Sequence, residues 1–255
     1  MGRPLIIGHR GSADAPENTM VGFRESLRQG AQMLELDVRL SRDGIPFVMH
    51  DSTLKRATGG KPGTVSARTS RHIQSLQLDE GVTIPTLEEV LLELCPQIPI
   101  NVEMKFNRPE LRPLAQGVAQ VITRLGFTRH VLVSSFFHQS LQMLKKVAPD
   151  IITAPLFGTP TGPLHDDDLD EVLSGPLREG PIAPGELPFR GRVAVLLHST
   201  VTPAIAERFR QAQGTLLVYT VDAPADLARM VALGVDGIIT NRPALAFRVL
   251  ETLDT

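Results

Sequence analysis

The chain has 255 residues, is 42% apolar and 21% charged, and carries a formal net charge of −2. That balance is ordinary for a soluble globular protein and excludes a uniform field that would draw the whole molecule onto nucleic acid or an anionic membrane, so any anion site must be local. One cysteine, Cys95, excludes an internal disulfide and a multi-cysteine metal centre; with no apolar stretch of transmembrane length and no signal-peptide pattern at the N-terminus, a cytoplasmic protein is expected.

Short apolar runs alternate with helical patterns along the chain. Residues 5–9 read as a strand, followed by a helix over 18–29, a strand over 33–40 and a shorter extended piece over 46–50. Residues 52–80, with Lys55, Arg56, Gly59, Gly60, Lys61 and Gly63, read as an excursion. Thr86 followed by Glu88 and Glu89 predicts an N-capped helix with a capping box, running to Leu94. Strands over 98–105 and 130–136 frame a helix over 110–125, and a helix over 139–147 leads to an extended run over 151–156.

Residues 155–191 hold seven of the chain's twenty prolines and six glycines, which predicts an irregular connection with at most one short helix. Regular alternation then resumes. Strands at 193–198, 216–222 and 237–240 alternate with helices at 203–213 and 223–233, and a last helix opens near Pro243. Eight main strands separated by helices argue for a (β/α)₈ barrel as one domain over 1–255, with 52–80 a small insertion after the second strand. An open doubly wound sheet is the structural alternative, weakened by the lack of a Gly-x-Gly-x-x-Gly after the first strand.

Barrel enzymes place their chemistry at the C-terminal ends of the strands. His9 and Arg10 end the first. Glu35 and Asp37, two apart on the second, point to one side of it, while Leu34, Leu36 and Val38 point to the other. Two ionisable groups aimed into a barrel are costly unless paired or holding a metal. Glu103 and Lys105 repeat the arrangement on the third main strand, and His50 ends the extended piece after the second. Three carboxylates from neighbouring strands make an all-oxygen site suited to Mg²⁺, Ca²⁺ or Mn²⁺. Arg10 and Lys105 suit phosphoryl oxygens, and two histidines suit acid–base work near neutral pH.

The chain resembles the glycerophosphodiester phosphodiesterases. The matching residues, in the family's order, are His9-Arg10-Gly11, Pro16-Glu17-Asn18-Thr19, Glu35-Leu36-Asp37-Val38, Asp43-Gly44, His50-Asp51, Ile84-Pro85-Thr86-Leu87-Glu88-Glu89, Glu103-Met104-Lys105, Ser134-Ser135-Phe136 and Gly234-Val235-Asp236-Gly237-Ile238-Ile239-Thr240. The resemblance implies a barrel with an insertion after the second strand and a metal-dependent hydrolysis of glycerophosphodiesters to glycerol 3-phosphate and an alcohol. It implies Glu35, Asp37 and Glu103 as ligands of one divalent cation, His9 and His50 as catalytic acid and base, and Arg10 and Lys105 as the phosphate grip. The partner expected is thus a small-molecule diester, with no nucleic acid and no transmembrane segment. Tyr219 and Asp222 stand where the family usually has tryptophan and asparagine, and Asn241 replaces a common aspartate. The Tyr219 ring is a candidate wall of the substrate pocket.

Two other readings fit the same residues: a lysophospholipase D, which would need an apolar groove near 155–191, and a silent barrel that binds phosphorylated ligands. Asn18 is expected to N-cap the first helix, with a contact to the site behind it. His72, His130, His138, His165 and His198 are expected to be structural or surface residues. Ser134 and Ser135 suit a hydrogen-bonding device at a strand end as well as a substrate contact. Asp166–Asp168 and the basic residues from Lys55 to Arg71 are expected to be solvated loops.

Overall fold

The computed structural model describes residues 2–76, 78, 81–105, 111–158, 162 and 164–253. Its centre is a closed barrel of eight parallel strands: β1 (Leu5–His9), β2 (Met33–Leu40), β4 (Ile100–Met104), β5 (Val131–Ser135), β6 (Ile152–Phe157), β7 (Val193–Leu197), β8 (Thr215–Tyr219) and β9 (Gly237–Thr240). Pairing of β1 with both β2 and β9 closes the ring. A short strand, β3 (Pro46–Val48), pairs antiparallel with the end of β2 and stands outside it. The expected alternation therefore holds along the chain. Glu110, expected to open the helix that becomes α4 (Leu111–Leu125), lies outside the described residues.

The alternation within each strand decides what faces where. Leu34, Leu36 and Val38 pack outward with Val102, Met104 and the helices α3 (Leu87–Leu94) and α4. The same strand therefore turns Glu35 and Asp37 inward. Thr86 caps α3, accepting from the Glu89 amide at 3.2 Å, while the Glu89 carboxylate accepts from the Thr86 amide at 2.7 Å. The capping box starts the helix at the position its sequence predicts.

The first helix departs from expectation. Thr19, not Asn18, caps α1 (Met20–Arg28), its hydroxyl accepting from the Gly22 amide at 3.1 Å. Asn18 instead adopts a left-handed backbone (φ 56°) that turns its side chain into the barrel mouth. Asp166–Asp168, expected as a loop, form the first turn of the short helix α6 (Asp166–Leu173), the next helix after α5 (His138–Val147), where carboxylates suit the helix N-terminus.

The Pro/Gly-rich segment after α6 runs beneath the barrel. Leu187 and Phe189 are buried with Ile152 and Val193, the first residues of β6 and β7, and with Ile7 and Met33. The Leu187 amide donates to the carbonyl of Arg129, just before β5, at 2.9 Å. These residues plug the N-terminal floor, at the end of the barrel opposite the chemistry-bearing strand ends. Leu187 and Phe189, apolar residues of this segment, are thus spent at the floor and not at the mouth.

The excursion after β3 has a small core of its own, Phe47, Leu54, Val65, Ile73, Leu76 and Ile84. Asp43, at the turn between β2 and β3, ties it down by accepting from the Ser70 amide (2.8 Å) and hydroxyl (2.7 Å) at the start of α2 (Ser70–Gln74).

The floor plug yields a prediction. Leu187→Ala should lower unfolding stability by about 2–4 kcal/mol, the usual cost of a buried leucine truncation. Its kcat and KM should match wild type. Paired denaturation and kinetic assays check both; a kinetic defect at full folding would place the segment at the wrong end of the barrel.

Candidate active site

Strand register assembles the site. In the parallel pairing of β1 with β2, His9 stands opposite Glu35; in that of β2 with β4, Asp37 stands opposite Glu103. Four chemistry-bearing side chains thus share the C-terminal rim of three adjacent strands. Ligand atoms of Glu35, Asp37 and Glu103 all lie within 4.8 Å of one another, and all three residues are buried. Lys105, one residue past β4, places its ammonium 2.6 Å from Glu103 and 3.4 Å from Asp37. The Arg10 guanidinium lies 3.0 Å from Asp37, and its amide donates to Glu35 at 3.0 Å.

Charge does not balance here. Three carboxylates face two fixed cations, and each ion buried from water costs several kcal/mol unless compensated. Burial, with the negative charge of Asp37 beside them, pushes both Glu35 and Glu103 up to about 8. Burial works on Asp37 too, but Lys105, Arg10, His50 and the Asn18 amide outweigh it and hold that carboxyl below the usual range. Asn18 grips Asp37 twice, its Nδ2 donating to Oδ2 at 2.9 Å and its Oδ1 accepting from the Asp37 amide at 3.1 Å. Glu35 Oε1 is buried with no hydrogen-bond partner among the described residues. An unpaired oxygen in an all-carboxylate triad with surplus negative charge fits a hard divalent cation.

The two histidines flank the triad. His9 Nε2 lies 3.9 Å from Glu35 Oε2. Its Nδ1 meets Asn241 Oδ1 at 2.7 Å, and Asn241 Nδ2 donates to Asp222 at 2.6 Å. Because a carboxylate only accepts, Asp222 turns the amide oxygen of Asn241 towards His9. The neutral imidazole then carries its proton on Nδ1 and keeps the Nε2 lone pair for the site. Asn241 and Asp222 were visible in the sequence only as departures from a family pattern; the contact that gives them a role joins loops 19 residues apart and spans 232 residues to His9. His50 is held in the same way by Asp51, Nδ1 to Oδ1, at 2.8 Å. Burial lowers the pKa of both histidines.

The other candidates sort clearly. Tyr219 packs edge-on against Phe136, over which the Lys105 ammonium sits. Its hydroxyl turns away and donates to Phe157 O at 3.1 Å. Ser135 donates to Met104 O and accepts from the Phe137 amide, a structural use. His138 meets Leu156 O at 3.1 Å, while His198 sits near Asp226 with its carbonyl taken by Arg229. Arg56, within the excursion, is engaged with Asp51 and Glu17.

The family model for the glycerophosphoryl diester phosphodiesterase family matches residues 9–245. The chain belongs to that family. Membership places it among the phosphoric diester hydrolases. It is 31% identical to a glycerophosphodiester phosphodiesterase of Caldanaerobacter subterraneus subsp. tengcongensis, over 94% of this chain and 95% of the relative. It is 32% identical to one from Bacillus altitudinis, over 97% and 98%. The crystal structure of the Agrobacterium tumefaciens glycerophosphodiester phosphodiesterase superposes with a TM-score of 0.76 at 28% identity, covering 97% of this chain and 99% of that one. A phosphodiesterase from Oleispira antarctica, solved with the product sn-glycerol-3-phosphate, shares the fold at 21% identity with a TM-score of 0.81, covering 98% and 97%. No helix among the described residues is long and apolar enough to cross a membrane.

Two predictions arise from this geometry. Glu35 and Glu103 hold protons up to about pH 8 in the fold, against about 4.3 for a free glutamate. Between those values the folded state binds more protons than the unfolded one, so stability without a cation falls as pH rises through 8. A divalent cation displaces those protons, and its stabilisation should grow over the same range. Melting temperatures with chelator and with excess Mg²⁺, at about pH 5.5 and 8.5, test this; an equal cation effect at both pH values would contradict it. Separately, Asn241→Ala removes the acceptor for His9 Nδ1 and should lower kcat by roughly 10-fold or more while KM changes little. Steady-state kinetics on the two proteins decide it.

Proposed function

We propose that the chain hydrolyses glycerophosphodiesters to glycerol 3-phosphate and an alcohol, using His9 and His50 as an acid–base pair beside one divalent cation. The observation that carries this reading is the register of β1, β2 and β4, which sets a three-carboxylate cluster between two imidazoles and two fixed cations. Glu35, Asp37 and Glu103 would hold the cation, Mg²⁺ or Ca²⁺ with Mn²⁺ a further fit, and when bound it supplies charge neutralisation at a phosphoryl oxygen. Arg10 and Lys105 grip the remaining phosphate oxygens, the arginine through the guanidinium N–H groups not taken by Asp37 and Glu17 and the lysine as a point charge. Charge held in place before the reaction begins is usually the main source of rate acceleration in phosphoryl chemistry.

Proton transfer falls to the histidines. His9, whose Nδ1 partner is the neutral Asn241 amide, is suited to take a proton at Nε2. The acceptor role follows from its lone pair, and burial keeps it unprotonated at neutral pH. His50 Nδ1 is held by the Asp51 carboxylate, which offsets part of the lowering that burial imposes and suits the ring to carry the proton given to the departing alkoxide. By family analogy the nucleophile is the substrate's own glycerol 2-hydroxyl: His9 removes its proton, its oxygen attacks phosphorus, and the P–O bond to the alcohol breaks as His50 donates. Water then opens the resulting cyclic phosphate, with the proton roles reversed. The Tyr219 ring lines the pocket beside Lys105 and Phe136.

The test is release of glycerol 3-phosphate from glycerophosphocholine with added Mg²⁺ or Ca²⁺ and with a chelator control. Chelator-sensitive release is expected. His9→Ala and His50→Ala should each lower kcat by roughly 10²–10⁴-fold with melting temperature near wild type. More than a tenth of the wild-type rate in either variant would remove that histidine from its role. Glu35→Ala should raise the metal concentration needed for half-maximal rate.

A further inference from the structure

Among the described residues, the excursion after β3 meets the edge of the site through Arg56. Arg56 spans two carboxylates: its Nε lies 2.6 Å from Asp51 Oδ2, and its Nη2 lies 2.6 Å from Glu17 Oε1. Each carboxylate uses its other oxygen on a residue of the reaction site. Asp51 Oδ1 holds His50 Nδ1 at 2.8 Å, and Glu17 Oε2 accepts from Arg10 Nη1 at 3.3 Å. Arg10 in turn lies 3.0 Å from Asp37. An unbroken chain of alternating charge therefore runs from the carboxylate triad through Arg10, Glu17, Arg56 and Asp51 to His50.

The backbone beneath Arg56 is fixed. Leu54 is fully buried in the excursion's own core, its amide donating to Gly63 O at 2.9 Å, and the Thr58 hydroxyl donates back to Leu54 O at 2.7 Å. The guanidinium itself is a rigid fork with five donors, so it can serve two carboxylates at once; a lysine ammonium has no such geometry.

We propose that Arg56 is a positioning residue for this reaction, setting the spacing between the phosphate-gripping Arg10 and the imidazole of His50. The excursion thereby contributes to catalysis without touching substrate. This inference rests on the proposed use of Arg10 and His50. Arg56 is more than half exposed, so its ion pairs contribute little to stability. Its loss is felt in geometry, where misplacement by about 1 Å costs on the order of 10²-fold in rate.

The experiment compares wild type with Arg56→Met, Arg56→Gln and Arg56→Lys; the glutamine variant stands in if the methionine variant fails to fold. We expect kcat for glycerophosphocholine to fall roughly 10–100-fold in Arg56→Met, with a melting temperature within a few degrees of wild type and only partial recovery in Arg56→Lys. Asp51→Asn should lose kcat by a similar factor, and adding Arg56→Met to it should cost less than about threefold more, because either change breaks the same link between Arg10 and His50. A kcat within twofold of wild type, or costs that multiply in the double variant, would overturn the proposal. A second readout is independent of turnover: the His50 Nδ1–H resonance, protected by Asp51 in wild type, should broaden away in Arg56→Met. If wild type releases no glycerol 3-phosphate from any glycerophosphodiester, the functional reading fails, and this resonance alone decides the structural half of the proposal. Its persistence in the variant would overturn it.

Discussion

Three carboxylates crowd the mouth of this barrel because parallel pairing aligns Asp37 with Glu103 and puts Glu35 one pleat below on the same inward face. Like charges removed from water repel strongly in a medium of low polarity, so this cluster dictates what its neighbours must be. Arg10 and Lys105 supply two positive charges, Asn18 supplies two hydrogen bonds to Asp37, and the Arg10 amide supplies another to Glu35. What remains uncompensated is the surplus that makes the site receptive to a hard cation.

Satisfying the cluster distorts the first loop. Arg10 and Asn18 both have left-handed backbones, at φ 52° and 56°, where residues with a Cβ are uncommon. Gly11 follows at φ 97°, and a Cβ there would stand 2.6 Å from the Gly22 backbone. The turn must therefore pass close to α1, and only glycine permits it. Strain at two residues is accepted because the same turn aims one side chain and one amide at the triad, and moving either would leave a buried carboxylate oxygen without its partner.

Function and support divide along the barrel axis. The floor is closed by Leu187 and Phe189, carried by a segment whose prolines and glycines suit a chain that crosses under the strands without regular structure. The rim is polar, and its order depends on loops from the two flanks of β1: the loops after β8 and β9 fix His9 through Asp222 and Asn241, and the loop after β3 fixes His50. Each imidazole thus has its own anchor. The anchors differ in charge, a neutral amide for His9 and a carboxylate for His50, so the two half-buried rings sit in different electrostatic surroundings.

The amino-acid sequence by itself determined the alternation of strands and helices, because apolar periodicity and capping are local properties; Thr86 with Glu89 predicts its helix to the residue. It also determined the chemical inventory, since Glu35 and Asp37 two apart in an apolar strand demand a common inward face. Other matters waited on the tertiary structure. Asn18 looks like a helix cap in sequence, yet its neighbour Thr19 caps the helix and the barrel mouth claims Asn18, because Asp37 is near only after the chain closes. The Pro/Gly-rich segment could be placed as floor only once Leu187 met Ile152 and Val193. Asn241 and Asp222 carry no local signal for their contact with His9, which only barrel closure brings to them, and Arg56, although five residues from Asp51, meets Glu17 only in the folded chain. Spacing along the chain governs local geometry, whereas contacts across tens to hundreds of residues exist only after the ring of strands has formed.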